Sequence, residues 1–270
     1  MRDEGIGSQG TNLARILGRL YERFHHPCFI HPDPVELVWE AAPADREVAA
    51  LVASSLALGR VESILAGVRR VLARLGEPRE ALLRLSRRDL EGLFADFRYR
   101  FFSGEQLAGF LWGIGESLRR FGTIEACFGA GMDGAERDLR NPLAAFVERL
   151  RGFAGIDIGI LLSEPAKGSA CKRLHLFLRW MVRADAIDPG GWRMGRNLLL
   201  VPVDVHMLRV SRLLGLTKRP QADIRASAEI TAALAEVCPE DPVKYDFSMT
   251  RLGIHPDLSY RDLIEKSAPD

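Results

Sequence analysis

Apolar residues recur every three or four positions along most of this chain, the spacing of one buried face of an α-helix. The clearest stripe starts at Val61 and ends at Leu75, where Gly76 and Pro78 predict a stop. A second stripe covers 107–118 and closes at Gly122. No segment alternates convincingly between apolar and polar residues, so the pattern predicts an all-α fold.

Proline and capping residues predict the ends of further helices. The pair Asn141-Pro142 predicts an N-cap and a first helical position, with the helix continuing to Leu150. The pair Asp241-Pro242 predicts the start of a last helix that ends at Gly253. Another helix is predicted over 222–237. Between these helices, 198–203 is predicted as an extended entry to the next helix, because Pro202 disfavours a ladder position.

Charge is nearly balanced overall, at +1, but unevenly distributed. The segment 167–219 holds eleven Lys or Arg and three Asp, against 26 basic and 33 acidic residues in the remainder. One interpretation is an electrostatic footprint for phosphates, with the acidic remainder turned away. The other is that these arginines cover the surface of two helices with their aliphatic stems. Both stay open at this point.

Other features restrict the class of protein. The four cysteines are scattered and show no spacing typical of zinc, iron–sulfur clusters or a disulfide framework, so no metal or cofactor is expected. The polar start lacks the apolar core of a signal peptide, and no apolar run approaches a bilayer-spanning length. We therefore expect a soluble, cytoplasmic, monomeric protein with no membrane partner.

Two side chains stand out as candidate chemistry. Lys172 follows a loop containing Gly168 and precedes an apolar helix, so it lies in the first turn, where a cation opposes the helix dipole. That placement depresses the pKa of an amine, which favours a nucleophilic role. Asp204 lies at an apolar-to-helix junction, where it is predicted to cap the helix and to offer a charge. If the two meet in a cleft, they form a lysine–aspartate pair able to act through an imine.

The segment VPVDVHMLRV, 201–210, closely resembles the aspartate motif of the helix-hairpin-helix DNA glycosylases, the superfamily of endonuclease III and the 8-oxoguanine glycosylases. GSACKRLHLFL, 168–178, resembles the segment of the family's nucleophilic lysine. Weaker likeness extends from about Asp45 to Gly253. The whole chain also resembles an uncharacterised bacterial family of unknown function.

The glycosylase resemblance implies a two-lobed helical fold with a cleft between the lobes. One lobe, 45–180, would be of the six-helix type and end in a hairpin-like element, and the other would combine 1–44 with 181–266. It implies Lys172 and Asp204 as catalytic residues of a DNA N-glycosylase with abasic-site lyase activity in base-excision repair. The partner would be double-stranded DNA with a damaged, possibly oxidised, nucleotide flipped out of the helix.

The resemblance and the loop chemistry also suggest how DNA would be held. Lys167, Gly168 and Ser169 precede the helix of the lysine, and His206, Arg209 and Arg212 follow Asp204; these six are the predicted DNA-binding residues. The chain departs from the family where the hairpin normally reads like LPGVG, since SEPAKG retains one glycine. The longer spacing between Lys172 and Asp204 resembles an archaeal 8-oxoguanine branch.

Two alternatives remain beside the repair enzyme. The degenerate hairpin favours a non-catalytic nucleic-acid-binding protein on the same helical scaffold. The near-zero net charge favours an all-α interaction protein unrelated to nucleic acid.

Overall fold

The computed structural model describes residues 4–165 and 168–254. Across these residues the chain forms thirteen α-helices and one hairpin of two short strands, which confirms the all-α class. The helices are α1 (Glu4–Phe24), α2 (Glu36–Glu40), α3 (Arg46–Leu56), α4 (Val61–Leu75), α5 (Pro78–Arg84), α6 (Arg87–Leu93), α7 (Gly104–Phe121), α8 (Ile124–Gly129), α9 (Arg140–Ala154), α10 (Lys172–Val182), α11 (Val205–Leu213), α12 (Ile224–Ala235) and α13 (Asp246–Ile254). The strands are β1 (Arg98–Tyr99) and β2 (Phe102–Ser103), paired antiparallel.

The two strongest apolar stripes form helices where the pattern predicts them. Helix α4 ends at Gly76, whose positive φ of 73° lets its N–H reach the carbonyl of Leu72. Helix α7 begins three residues before its apolar stripe, because Ser103 and Gln106 form a reciprocal capping box at its start. The β-hairpin was missed by the sequence pattern, since two residues per strand are too few to show alternation.

The predicted N-cap Asn141 is wrong, because α9 begins at Arg140. The residue at the cap position is Leu139, whose side chain supplies no hydrogen bond. The carboxylate of Asp138 accepts from the backbone N–H of Arg140 at 2.9 Å instead. Asp138 thus supplies the side-chain hydrogen bond at the start of α9 that was expected from Asn141.

The predicted start and end of the last helix are also wrong. Asp241 precedes a stretch of turns, and α13 begins at Asp246. The carboxylate of Asp241 is buried and lies 3.0 Å from a guanidinium nitrogen of Arg183, so the ion pair, not a helix terminus, holds it. Gly253 lies inside α13.

The helices pack around a single hydrophobic cluster that extends from Leu17 to Met249. Helix α7 contacts α5, α6, α8 and α9, while α3 packs on α2, α4 and α10. Helices α1 and α11 both pack against α13. The division into lobes at 45–180 stays a prediction. Of the helices in the described part of the chain, none combines the length and apolar character needed to cross a membrane.

Candidate active site

The structure brings Lys172 and Asp204 together across 32 residues of sequence. The Nζ atom of Lys172 donates to Oδ2 of Asp204 at 2.6 Å. The Lys172 side chain is 37% exposed and the Asp204 side chain 19% exposed, so both remain accessible from solvent. The pair is therefore partly exposed, and it is not fully buried in the core.

Left-handed backbone positions place Lys172 at the start of α10. Gly168, at φ 75°, and Cys171, at φ 44°, bracket the entry to the helix. A non-glycine residue in this region is uncommon and marks a tightly constrained turn. The next side chain, Arg173, is anchored by donating to the backbone carbonyls of Ser55 and Ile160. These constraints fix the first turn of α10 and with it the origin of the lysine side chain.

The extended segment before α11 places Asp204. Its residue Val201 is held at both backbone groups, since its N–H donates to Oγ1 of Thr231 at 3.0 Å and its carbonyl accepts from Oγ of Ser227 at 2.6 Å. The extended backbone of Leu199 agrees with the predicted entry over 198–203, but Leu198 itself ends a 3-10 helix over Arg196–Leu198. Oδ1 of Asp204 then caps α11 by accepting from the backbone N–H groups of His206 and Met207, each at 2.9 Å. The predicted cap and the contact with Lys172 thus use different oxygens of one carboxylate.

The electrostatics of the pair favour an ionised aspartate. Burial alone would raise the pKa of Asp204, but the charge and hydrogen bond of Lys172 outweigh it. The backbone N–H of Met207 adds to this, and the net pKa of Asp204 lies below its usual value. The carboxylate at this position therefore carries its charge at neutral pH, as stabilisation of a cationic transition state requires.

A cleft of about 610 Å³ opens beside the pair. It is lined by the loops 32–34 and 57–59, the start of α4, one face of α10, the segment 202–206 and one face of α13. With 57–59 and the start of α4 counted as one continuous stretch, five segments converge on one concavity, and Lys172 and Asp204 both line it. The volume falls within the range typical of small-molecule sites.

Among the described residues, three ion pairs line this cleft. Besides Lys172 with Asp204, Arg251 donates to Oδ2 of Asp33 at 2.7 Å, and Arg179 donates to Asp246. The three cations and three carboxylates balance, so the cleft has polar, directional groups without a large net charge. Such a site is better suited to a ligand with uncharged polar groups than to a polyphosphate.

Several cleft residues were missed by the sequence analysis. Leu176 and Arg179 lie four and seven positions after Lys172, so they share its helix face, and this spacing could have identified them. Asp33, Asp246 and Arg251 carry no such signal. They reach the cleft through tertiary packing of distant segments.

The predicted DNA-binding residues are distributed around the site. Lys167 lies outside the described residues. Gly168 and Ser169 are exposed just before α10. His206 lines the cleft, whereas Arg209 and Arg212 line an adjoining groove on α11 together with Leu208 and Leu213, and Val205 lines both.

Two of the basic side chains of 167–219 are buried and form no part of a surface footprint. Arg179 is 3% exposed and Arg183 is 2% exposed. They contact Asp188 at 3.0 Å each, and Arg183 also pairs with Asp241 and Asp185. These two arginines therefore belong neither to a phosphate footprint nor to a helix surface. Both interpretations stay predictions for the exposed basic residues of the segment, which are Arg193, Arg196, Arg209, Arg212 and Lys218.

Among the side chains that the structure describes, no three His, Cys, Asp or Glu come together as a possible metal site. The family description "Protein of unknown function (DUF2400)" matches residues 33–255. No curated protein and no solved structure is significantly similar to the chain.

Proposed function

The chain belongs to the DUF2400 family, and from the geometry of its cleft we propose that it is a DNA N-glycosylase with associated abasic-site lyase activity. The observation that carries this proposal is the 2.6 Å contact between Nζ of Lys172 and Oδ2 of Asp204 in an open cleft. These are the two residues for which the resemblance to the helix-hairpin-helix glycosylases implies catalytic roles.

The composition of the cleft supports the same proposal. Its walls come from both predicted lobes, since 57–64 and α10 belong to 45–180, while 32–34, 202–206 and α13 belong to the other. A flipped nucleotide needs such a cavity, because its C1′ atom is inaccessible inside a stacked duplex. The near-neutral floor suits a base, and the phosphates would stay at the rim.

In the proposed reaction Lys172 first transfers a proton to Asp204 along their hydrogen bond. The neutral amine then attacks C1′ of the nucleotide, while the C1′–N bond breaks and its electron pair leaves with the base, which takes up a proton. Asp204 supplies that proton, the one it took from Lys172, and the carboxylate it regains stabilises the positive charge that builds on the sugar. Ring opening protonates O4′ and gives an imine, and loss of a C2′ proton expels the 3′ phosphate.

Groups at the rim would position the duplex. Gly168, Ser169 and the N-terminus of α10 lie on one side of Lys172, and Arg209 and Arg212 lie on the exposed face of α11. Phosphate contacts of this kind orient DNA without selecting a lesion. Selection is then left to the cleft.

Borohydride trapping tests the proposal. A duplex with a single abasic site is incubated with the wild type and borohydride, and a covalent adduct is expected. Lys172→Arg keeps the cation beside Asp204 but cannot form the imine, so its adduct should disappear while folding is retained. Lys218→Arg, at an exposed lysine, is the matched control and should trap like the wild type. No wild-type adduct on any abasic duplex would remove the lyase proposal.

The alternative is a non-catalytic nucleic-acid-binding protein on the same scaffold. The single glycine of the hairpin segment, Gly168, favours it. It predicts salt-dependent retardation of DNA without any covalent adduct.

A further inference from the structure

The floor of the cleft holds a second carboxylate, Asp246, which no step of the proposed reaction uses. Asp246 begins α13 and is 2% exposed. Its Oδ2 accepts from Nη1 of Arg179. Its Oδ1 is fully buried and has no hydrogen-bond partner among the described residues.

A buried carboxylate oxygen without a donor is costly, because it has lost its water and gained nothing in return. Natural structures keep few such groups, and each one calls for an explanation. Asp246 lines the same cleft as Lys172, so a ligand in the cleft is the nearest source of the missing donor. Asp246 therefore has the properties of a binding group whose Oδ1 would accept a hydrogen bond from a ligand N–H.

The charges around Asp246 narrow the chemistry of that donor. Arg179 contacts the carboxylate directly, and both Lys172 and Asp204 are close enough to interact with it electrostatically. An acceptor held beside a guanidinium complements a ring edge on which an N–H stands beside a carbonyl oxygen. Lactam and imide bases present this edge, because their ring N–H is a donor and the adjacent carbonyl an acceptor.

We propose that Asp246 is the base-recognition residue of the cleft and that it selects nucleobases with a lactam or imide ring N–H. This inference rests on the proposed glycosylase function. The flipped base donates its ring N–H to Oδ1, and its carbonyl oxygen faces the cations beside Asp246. Bases that lack this N–H leave the carboxylate oxygen unpaired and are rejected.

The exchange Asp246→Asn reverses the polarity at this position. A guanidinium can only donate, so Arg179 holds the amide oxygen where Oδ2 was. The amide NH₂ then occupies the place of Oδ1, and an acceptor becomes a donor. Asp188→Asn is the matched control, since Asp188 is the other carboxylate that contacts Arg179, is 1% exposed, and lies outside the cleft lining.

The experiment measures single-turnover base release by the full chain from duplexes that contain uracil, hypoxanthine or 8-oxoguanine. Each base is paired with its counterpart methylated at the ring nitrogen, N3 of uracil or N1 of the purines. Trapping on a duplex with an abasic site, which has no base, runs in parallel and reports Lys172 chemistry alone. Thermal unfolding of each variant reports folding.

The proposal expects the wild type to release at least one N–H base, and its methylated counterpart on the order of tenfold more slowly or less. Asp246→Asn should lose on the order of tenfold or more in that release and narrow the discrimination, yet trap the abasic duplex like the wild type. Asp188→Asn should keep the discrimination.

Equal release of methylated and unmethylated bases by the wild type would overturn the proposal, and so would release of none of the N–H bases. Equal loss of base release and trapping in Asp246→Asn would also overturn it, since the residue would then act on Lys172 or on the fold. The wild-type comparison holds even if the variant does not fold. Failure of the wild type to trap the abasic duplex would remove the proposed function itself, and this recognition role with it.

Discussion

Asp204 uses its two carboxylate oxygens for different partners. Oδ1 accepts from two backbone N–H groups at the start of α11, and Oδ2 accepts from Lys172. The cap orients the carboxylate, because two N–H bonds on one oxygen leave the other oxygen turned towards the lysine. A residue required by the helix is therefore also the charge that faces the reacting centre.

Asp204→Asn separates these two roles. The amide oxygen can still accept from the backbone N–H groups of His206 and Met207, so the free energy of unfolding should fall by no more than about 1 kcal/mol. The negative charge is lost, and single-turnover base release should drop about 10²- to 10⁴-fold, the range typical of a positioned acid–base group. Chemical denaturation and gel-based product assays measure the two effects.

Asp223→Asn makes the same exchange at the N-cap of α12 and calibrates the stability cost. An Asp204→Asn protein that unfolds far more easily than this control would show that the residue is chiefly structural. Unchanged base release would show that its charge is not used.

At the level of single residues, the site residues that could be predicted from the sequence are those in recognisable local patterns. Lys172 and Asp204 stand out because each sits at a helix start beside a distinctive motif. Asp246 and Asp33 do not, since their importance depends on which distant segment packs against them. A carboxylate near the start of a late helix looks the same whether it faces solvent or Arg179.

Helix α7 depends on glycine for its contact with α9. A Cβ atom on Gly113 would lie 2.8 Å from the carbonyl oxygen of Leu150 and 3.3 Å from the amide nitrogen of Ala154. Both are backbone atoms, so neither can rotate away. The two helices are therefore closer than any side chain at this position would allow.

Gly113→Ala should lower the free energy of unfolding by about 1–3 kcal/mol, because α9 must shift to relieve the overlap. Gly152→Ala, on the exposed side of α9 with no atom within 4 Å of the added Cβ, should raise it by about 0.5–1 kcal/mol through helix propensity. Urea denaturation measures both. The same sign for both variants would contradict the close packing of α7 on α9.

Helix boundaries show where local signals succeed and fail. Gly76 and Gly122 end their helices as predicted, because a glycine that adopts a positive φ leaves the helical conformation whatever surrounds it. Asn141 and Asp241 were misassigned as N-caps. In each case another partner competed: Asp138 bonds the first N–H of α9, and Arg183 takes the carboxylate of Asp241.

At the scale of the whole molecule, part of the positive charge of the segment 167–219 is neutralised by buried carboxylates. Arg179 of α10 and Arg183, the residue that follows α10, extend into a buried network with acidic residues from three later segments, Asp185, Asp188, Asp241 and Asp246. Removing one member of such a network is strongly destabilising, since it leaves an uncompensated buried charge. Composition alone cannot reveal this, because pairing depends on the fold.

Buried His175 links this interior to pH. Burial lowers the pKa of His175 to about 4, while the carboxylate of Asp138 opposes that shift in part. The unfolded chain therefore binds a proton between about pH 6.5 and 4 that the folded chain does not, and stability falls as the pH falls through this window. From pH 7 to 5 the wild type should lose about 2 kcal/mol relative to His175→Gln.

The wild type must be compared with His175→Gln because a second group also changes stability with pH. Burial raises the pKa of Asp188 to about 6, so this group adds stability as the pH falls, equally in both proteins, and its effect cancels in the difference. Denaturant titrations at a series of pH values give the difference directly. A difference that does not change with pH would mean that the buried ring is protonated in the folded state at pH 5.

The most direct measurement is the site of covalent attachment after borohydride trapping on an abasic duplex. The chain has five lysines, Lys167, Lys172, Lys218, Lys244 and Lys266, so peptide mapping by mass spectrometry distinguishes them. The account predicts the reduced sugar on Lys172, with the other four unmodified. Attachment at another lysine or at the terminal amine, or no attachment while the protein is folded and binds the duplex, would contradict it.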